Sequence, residues 1–156
     1  MRSFQIVGLP AEPFAPLFTL SDRELAEMGA RRVVAEESGR YPCRISLVDV
    51  EKGAELLLMP WCHQPGKSPY KASGPIYVRK GAQQQILDVG HVPEYVSSRL
   101  ISVRAYDAED MIIDADICDG RNVAAEIENQ FANAEVRYIH LHNAKRGCYS
   151  CLVRRA

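Results

Sequence analysis

The strongest constraint on how this chain can fold lies in its second half, where apolar and polar residues alternate in four runs. Arg99–Tyr106 and Met111–Ile117 form one pair around Asp107–Asp110. Val136–His142 and Cys148–Arg154 form another around Asn143–Gly147. A period of two is the signature of a half-buried β-strand, and short polar connections make each pair a hairpin. Between the pairs, Asn122–Asn133 carries Val123, Ile127 and Phe131 at helical spacing. The order is strand, strand, helix, strand, strand.

The first half reads as shorter elements. Phe4–Gly8 is a first strand, followed by the Pro-rich turn Glu12–Phe18. A helix start is written at Ser21, with Glu24 three residues later as in a capping box and Leu20 and Leu25 placed for a hydrophobic staple. Gly29 stops this helix. Arg31–Ala35, Arg44–Val50 and Glu55–Met59 are strand-like, as are Ile76–Arg79 and Gln83–Leu87, and Pro93 opens a short helical turn through Ser98. From Pro60 to Pro75 four prolines and two glycines predict a long ordered loop lying over the surface of the domain. The expected fold is α+β: mostly antiparallel hairpins, two main helices and one long Pro-rich ordered loop, in a single domain spanning residues 1–156.

Composition excludes several function classes. The chain has 156 residues, 47% hydrophobic and 25% charged, with a formal charge of −1. That is a globular balance with enough apolar material for a core, and nothing in it favours nucleic acid or an acidic membrane surface. The longest apolar run, Leu56–Cys62, is interrupted by Pro60 and falls far short of the ~20 residues of a membrane span. With no signal-peptide pattern at the N-terminus, a cytoplasmic protein is expected. Five cysteines, an odd number, argue against a disulfide framework.

Chemistry concentrates at the end of the chain, in Tyr138-Ile-His140-Leu-His142-Asn143 and Cys148-Tyr149-Ser150-Cys151. Parity sorts these side chains by face. A three-residue loop at Ala108–Asp110 sets Ile101, Val103 and Ala105 on one face with Ile113, Ala115 and Ile117, and places Arg104 opposite Asp114 and Ser102 opposite Asp116. With Asn143–Gly147 as the second loop, His142 faces Cys148 and His140 faces Ser150, while Ile139, Leu141, Tyr149, Cys151 and Val153 point to the core. Residues three apart on a strand point to opposite faces, so Cys148 and Cys151 do not make a C-x-x-C redox or zinc motif.

Several readings of the polar face follow. Cys148 can serve as a nucleophile with His142 as its base and Asn143 orienting the ring, the arrangement of a thiol-dependent hydrolase or transferase. Asp114, Asp116, His140 and His142 can hold a divalent transition metal such as zinc, iron or manganese if the helix between their strands makes them parallel neighbours, and His63 can add a ligand. The plainest reading is a solvated sheet face, as in a non-catalytic interaction domain. In the favoured reading the Pro-rich segment folds over this face and forms a small-molecule pocket. Arg104, Tyr106, His140 and His63 then contact the ligand, and Trp61, Tyr70 and Tyr77 are walls.

Gly8-Leu-Pro10, Tyr70-Lys-Ala-Ser-Gly-Pro-Ile-Tyr-Val-Arg79, Arg104-Ala-Tyr-Asp107 and His142-Asn-Ala-Lys-Arg-Gly-Cys148 together resemble a bacterial family, the domain of unknown function 1203 family. The resemblance implies a small single-domain bacterial protein and brings no activity, cofactor or catalytic residue with it.

Overall fold

The computed structural model describes residues 3–156. In chain order the elements are β1 (Phe4–Val7), α1 (Asp22–Glu27), β2 (Arg31–Val34), β3 (Pro42–Cys43), β4 (Val48–Asp49), β5 (Glu55–Gln64), β6 (Ala72–Arg79), α2 (Glu94–Ser97), β7 (Leu100–Tyr106), β8 (Ile112–Asp119), α3 (Val123–Phe131), β9 (Tyr138–Asn143) and β10 (Tyr149–Arg155). They build two five-stranded sheets, one ordered β1-β10-β9-β7-β8 and the other β2-β5-β6-β3-β4. The α+β class holds. The described residues form three short α-helices, of six, four and nine residues, at the places of the expected helix after Ser21, the turn after Pro93 and the helix within Asn122–Asn133. None is long and apolar enough to cross a membrane.

Local sequence chemistry accounts for several of these elements. Ser21 Oγ accepts from the Glu24 amide while the Glu24 carboxylate accepts from the Ser21 amide, completing the capping box of α1. Gly29 follows at a φ of 74°, where a side chain would be strained.

The segment expected to be a long loop is mostly strand. β5 runs on to Gln64 and β6 begins at Ala72, leaving only residues 65–71 as the connection. The prolines are accommodated because Pro60 and Pro75 sit opposite each other. Two facing residues without N–H groups fit only a pair that exchanges no ladder bonds. Neither lies in the stretch where β2 or β3 pairs with the outer side of its strand. The run Arg44–Val50 departs in the other direction: it breaks after Cys43 into a turn, with Leu47 at a φ of 58°, and re-enters the sheet only at Val48–Asp49. Gln83–Leu87 supplies no strand beyond an isolated bridge from Ile86 to Val7.

Two bulges decide which side chains share a face. Next to its turn, β7 pairs with β8 as parity predicts, Tyr106 opposite Ile112. A bulge at Ile113 then slips the register by one, so Arg104 faces Ala115 and not Asp114, and Val103 faces Asp116. A one-residue slip exchanges faces. Ile113 and Ile117, expected in the core, are 38% and 60% exposed. In the last hairpin His142 pairs with Tyr149, not Cys148, and a second bulge at Ser150 leads to Cys151 opposite Leu141. Ile139, Leu141, Cys151 and Val153 do face the core, but Tyr149 crosses to the histidine side.

Two cores result. One lies between the first sheet and α2 and α3, with Ile101, Val103, Ala105, Ile139, Leu141, Val123, Ile127 and Phe131 at its centre. The other belongs to the second sheet and α1, and Tyr149 of β10 is packed into it. The junction is reinforced by buried Arg44, which donates from Nε to Tyr149 O at 2.8 Å and from Nη1 to Pro42 O at 2.6 Å.

Candidate metal centre

Three histidines meet where the sheets join. His140 and His142 alternate on β9, so a period of two puts both rings on one face. His63 comes from the end of β5 in the other sheet. One ring nitrogen from each lies within 4.8 Å of those from the other two. His140 and His142 are buried and His63 is half-buried. Tyr149 organises the group: His63 stacks on it at 5.4 Å with an interplanar angle of 5°, while His140 and His142 meet it edge-on at 5.2 and 5.7 Å. Tyr106 and Tyr138, stacked on each other at 5.0 Å, flank His140.

Each ring presents a nitrogen that the protein leaves unmatched. His63 Nδ1, His140 Nδ1 and His142 Nε2 are buried without a hydrogen-bond partner among the described residues. Leaving such atoms unsatisfied costs about 1–3 kcal/mol each, so three in one place call for an explanation. His142 is the most fully specified. Its Nδ1–H donates to Gly147 O at 2.9 Å, which fixes the tautomer and leaves Nε2 as a lone-pair donor.

The electrostatics keep the rings neutral. Burial, then the charges of His142, His63 and Arg104, pull His140 down to about 3. Burial pulls His142 down to about 4, against the Gly147 bond that raises it. His63 is lowered by burial and by Arg104. Neutral imidazole is the form that binds a metal ion.

Beside the histidines is a cleft of about 480 Å³ bordered by His63, Gln64, Asp110, Tyr138, His140 and Arg154. Its far wall is a hydrogen-bonded chain: Gln64 Nε2 donates to Tyr138 OH at 2.8 Å, and Tyr138 OH donates to Asp110 Oδ1 at 2.6 Å. Ser68 Oγ donates to Asp110 O at 2.6 Å, so the tip of the β5–β6 hairpin is tied to the β7–β8 turn. Asp110 holds this position at a φ of 60°, a conformation an aspartate tolerates better than most residues.

The other expected site residues fall out as follows. Arg104 and Tyr106 share the histidine face, Arg104 as the cross-strand partner of His140. Asp114 and Asp116 do not join it. β8 is indeed parallel to β9, but β7 separates them, and the Ile113 bulge turns both carboxylates to the opposite face, where they are exposed. Asn143 pairs with core-facing Ile101, so its side chain alternates away from His142 and cannot orient that ring. Cys148 lies in the turn before β10, half-buried, its carbonyl accepting from the Asn143 amide at 2.9 Å. Trp61 packs on Phe14 at 4.8 Å and Tyr77 on Tyr41 at 5.4 Å, both in the second core. Tyr70 is 40% exposed on the hairpin tip near Tyr106.

Sequence reading missed Tyr149, Gln64, Tyr138, Asp110 and Arg44. Tyr149 had a signal, an aromatic directly after a Gly-Cys turn, but only the bulge moves it to the histidines. The other four gain their roles from partners distant in sequence.

Fold and site thus define an α+β protein in which two sheets clasp a cluster of three histidines, two of them buried. A family model described as "Protein of unknown function (DUF1203)" matches residues 40–155, and the chain belongs to that family. The matched span contains His63, His140 and His142, while Gly8-Leu-Pro10 precedes it. No curated protein and no solved structure matches the chain.

Proposed function

We propose that the protein is a mononuclear metalloprotein that holds a divalent transition metal on His63, His140 and His142 and binds a small molecule at the ion from the adjoining cleft. The observation that carries this reading is the convergence of three imidazoles from two different sheets, one ring nitrogen of each within 4.8 Å of the others, in rings that each keep a buried nitrogen without a partner. A solvated sheet face does not bury its histidines, and a structural histidine normally has both nitrogens matched. Three nitrogen ligands that leave a coordination position open are the pattern of catalytic rather than structural zinc sites. At about 2.1 Å from each nitrogen, a tetrahedral ion needs ligand spacings of roughly 3.4 Å, so loading requires the rings to close by no more than about 1.4 Å in spacing. The Gly147 carbonyl on His142 has the place of an outer-shell partner. An ion in this position can polarise a bound carbonyl or lower the pKa of bound water, which makes hydrolysis or hydration the chemistry best suited to it.

The test is elemental analysis of protein purified without a histidine tag, followed by titration with Zn(II) and Co(II). About one equivalent per chain is expected. His63→Ala, His140→Ala and His142→Ala should each weaken affinity by more than about 100-fold, beyond the usual loss for an outer-shell partner. Protein that stays metal-free and takes up no cobalt removes the reading.

A further inference from the structure

Arg104 stands beside the cluster without a counter-charge. It is the cross-strand partner of His140 on β7, on the same sheet face, and on its other side it pairs with Ala115 of β8. Its Nε donates to Ser102 Oγ at 3.2 Å. That contact holds the guanidinium by one edge, and both Nη groups are without a partner among the described residues. Arg104 is half-buried, and its other cross-strand neighbour, Ala115, is small and exposed. Its charge is felt at all three histidines.

A half-buried arginine without a carboxylate keeps a charge that only water balances. Here the deficit grows on loading. Three neutral imidazoles leave a divalent ion with both its charges, and the arginine adds a third. The carboxylate bordering the cleft, Asp110, is committed to Tyr138. We infer that the site takes an anionic ligand, a small molecule with a carboxylate or phosphate group, whose oxygens bridge the metal and the two Nη groups of Arg104. This rests on the metal reading above. The chemistry fits the geometry left open: with Nε occupied, the Nη pair presents a two-pronged donor edge, which suits a planar or tetrahedral oxyanion and no neutral ligand equally well.

Cobalt-loaded protein tests it. Acetate and inorganic phosphate are titrated separately, with visible cobalt absorption as the readout, into wild type, Arg104→Met and Arg104→Lys. One or both anions should perturb the wild-type spectrum, and the anion that binds more tightly tells carboxylate from phosphate. Arg104→Met should still bind one equivalent of cobalt but hold the anion about tenfold more weakly or worse, and Arg104→Lys should recover part of the loss as a point charge. Retained cobalt in either variant shows that the fold persists. Unchanged anion affinity in both variants, or no response of wild type to either anion, overturns this inference and leaves the metal reading standing. Failure of wild type to bind cobalt overturns both.

Discussion

Gly147 has two roles at the cluster. Its carbonyl accepts from His142 Nδ1, and its own φ of 79° turns the chain so that the carbonyl reaches that ring. An added Cβ meets nothing within 4 Å, so a substitution acts through backbone strain alone. Gly147→Ala should therefore cost about 1 kcal/mol of stability in urea denaturation and lower cobalt affinity about tenfold, near the small end of outer-shell effects. Stability lost with no change in cobalt affinity would mean that the carbonyl does not orient His142. At this scale the sequence showed much of the site. The spacing of His140 and His142 settles that they share a face, and His63 stood out within a segment rich in polar and aromatic residues. Arg44, Gln64 and Asp110 were not legible, since each looks like an ordinary surface residue until its remote partner is known.

Among elements, the bulge in β10 has the largest consequence, because it carries Tyr149 from the expected core face to the histidines. The ring is buried in the second core and stacks on His63. Tyr149→Phe keeps the ring and should leave both the unfolding midpoint and cobalt binding near wild type. Tyr149→Ala should cost about 3–5 kcal/mol, the usual range for removing a buried aromatic, and weaken metal binding as the three imidazoles lose their common support. A Tyr149→Ala protein with undiminished metal affinity would show that the ring only packs. A second element-level constraint sits where β1 ends. A Cβ on Gly8 would collide with the Ile45 carbonyl oxygen. Gly8→Ala should push β1 off the turn after β3 and cost about 1–3 kcal/mol, measured as a lower urea midpoint with an unchanged m-value. Elements with a strict period were readable from the residues. Bulges were not, because an extra residue leaves the alternation intact on both sides and shifts only the phase between them.

For the molecule as a whole, the clasping of the sheets ties stability to pH. In metal-free protein His140 and His142 titrate at about 3 and about 4, below the ~6.5 of an unfolded chain. Between those values the unfolded state binds more protons than the folded one. Stability is therefore complete above about pH 6.5, is lost progressively as pH falls from there to about 4 for His142 and about 3 for His140, by up to ~1.4 kcal/mol per pH unit for each ring, and falls no further from these groups below that. Urea midpoints of chelator-treated protein should fall steadily from pH 7 to pH 4.5. His140→Asn with His142→Asn should flatten that slope, and a slope unaffected by the pair would assign the acid sensitivity to other groups. Bound metal competes with the same protons, so loaded protein should keep its midpoint to lower pH.

What the sequence determined by itself was periodicity and local chemistry: the α+β class, the two C-terminal hairpins and the helix between them, the capped start of α1, the shared face of His140 and His142. These depend on neighbours a few residues apart, and such interactions are written in the order of the chain. Only the tertiary structure decided that Asp114 and Asp116 lie apart from the histidines, that prolines 60 and 75 sit inside paired strands, and that His63 and Tyr149 complete the cluster. Each of those outcomes turns on sheet order or on a one-residue shift of register, which are set by which faces bury the most apolar surface together across distances no local pattern records.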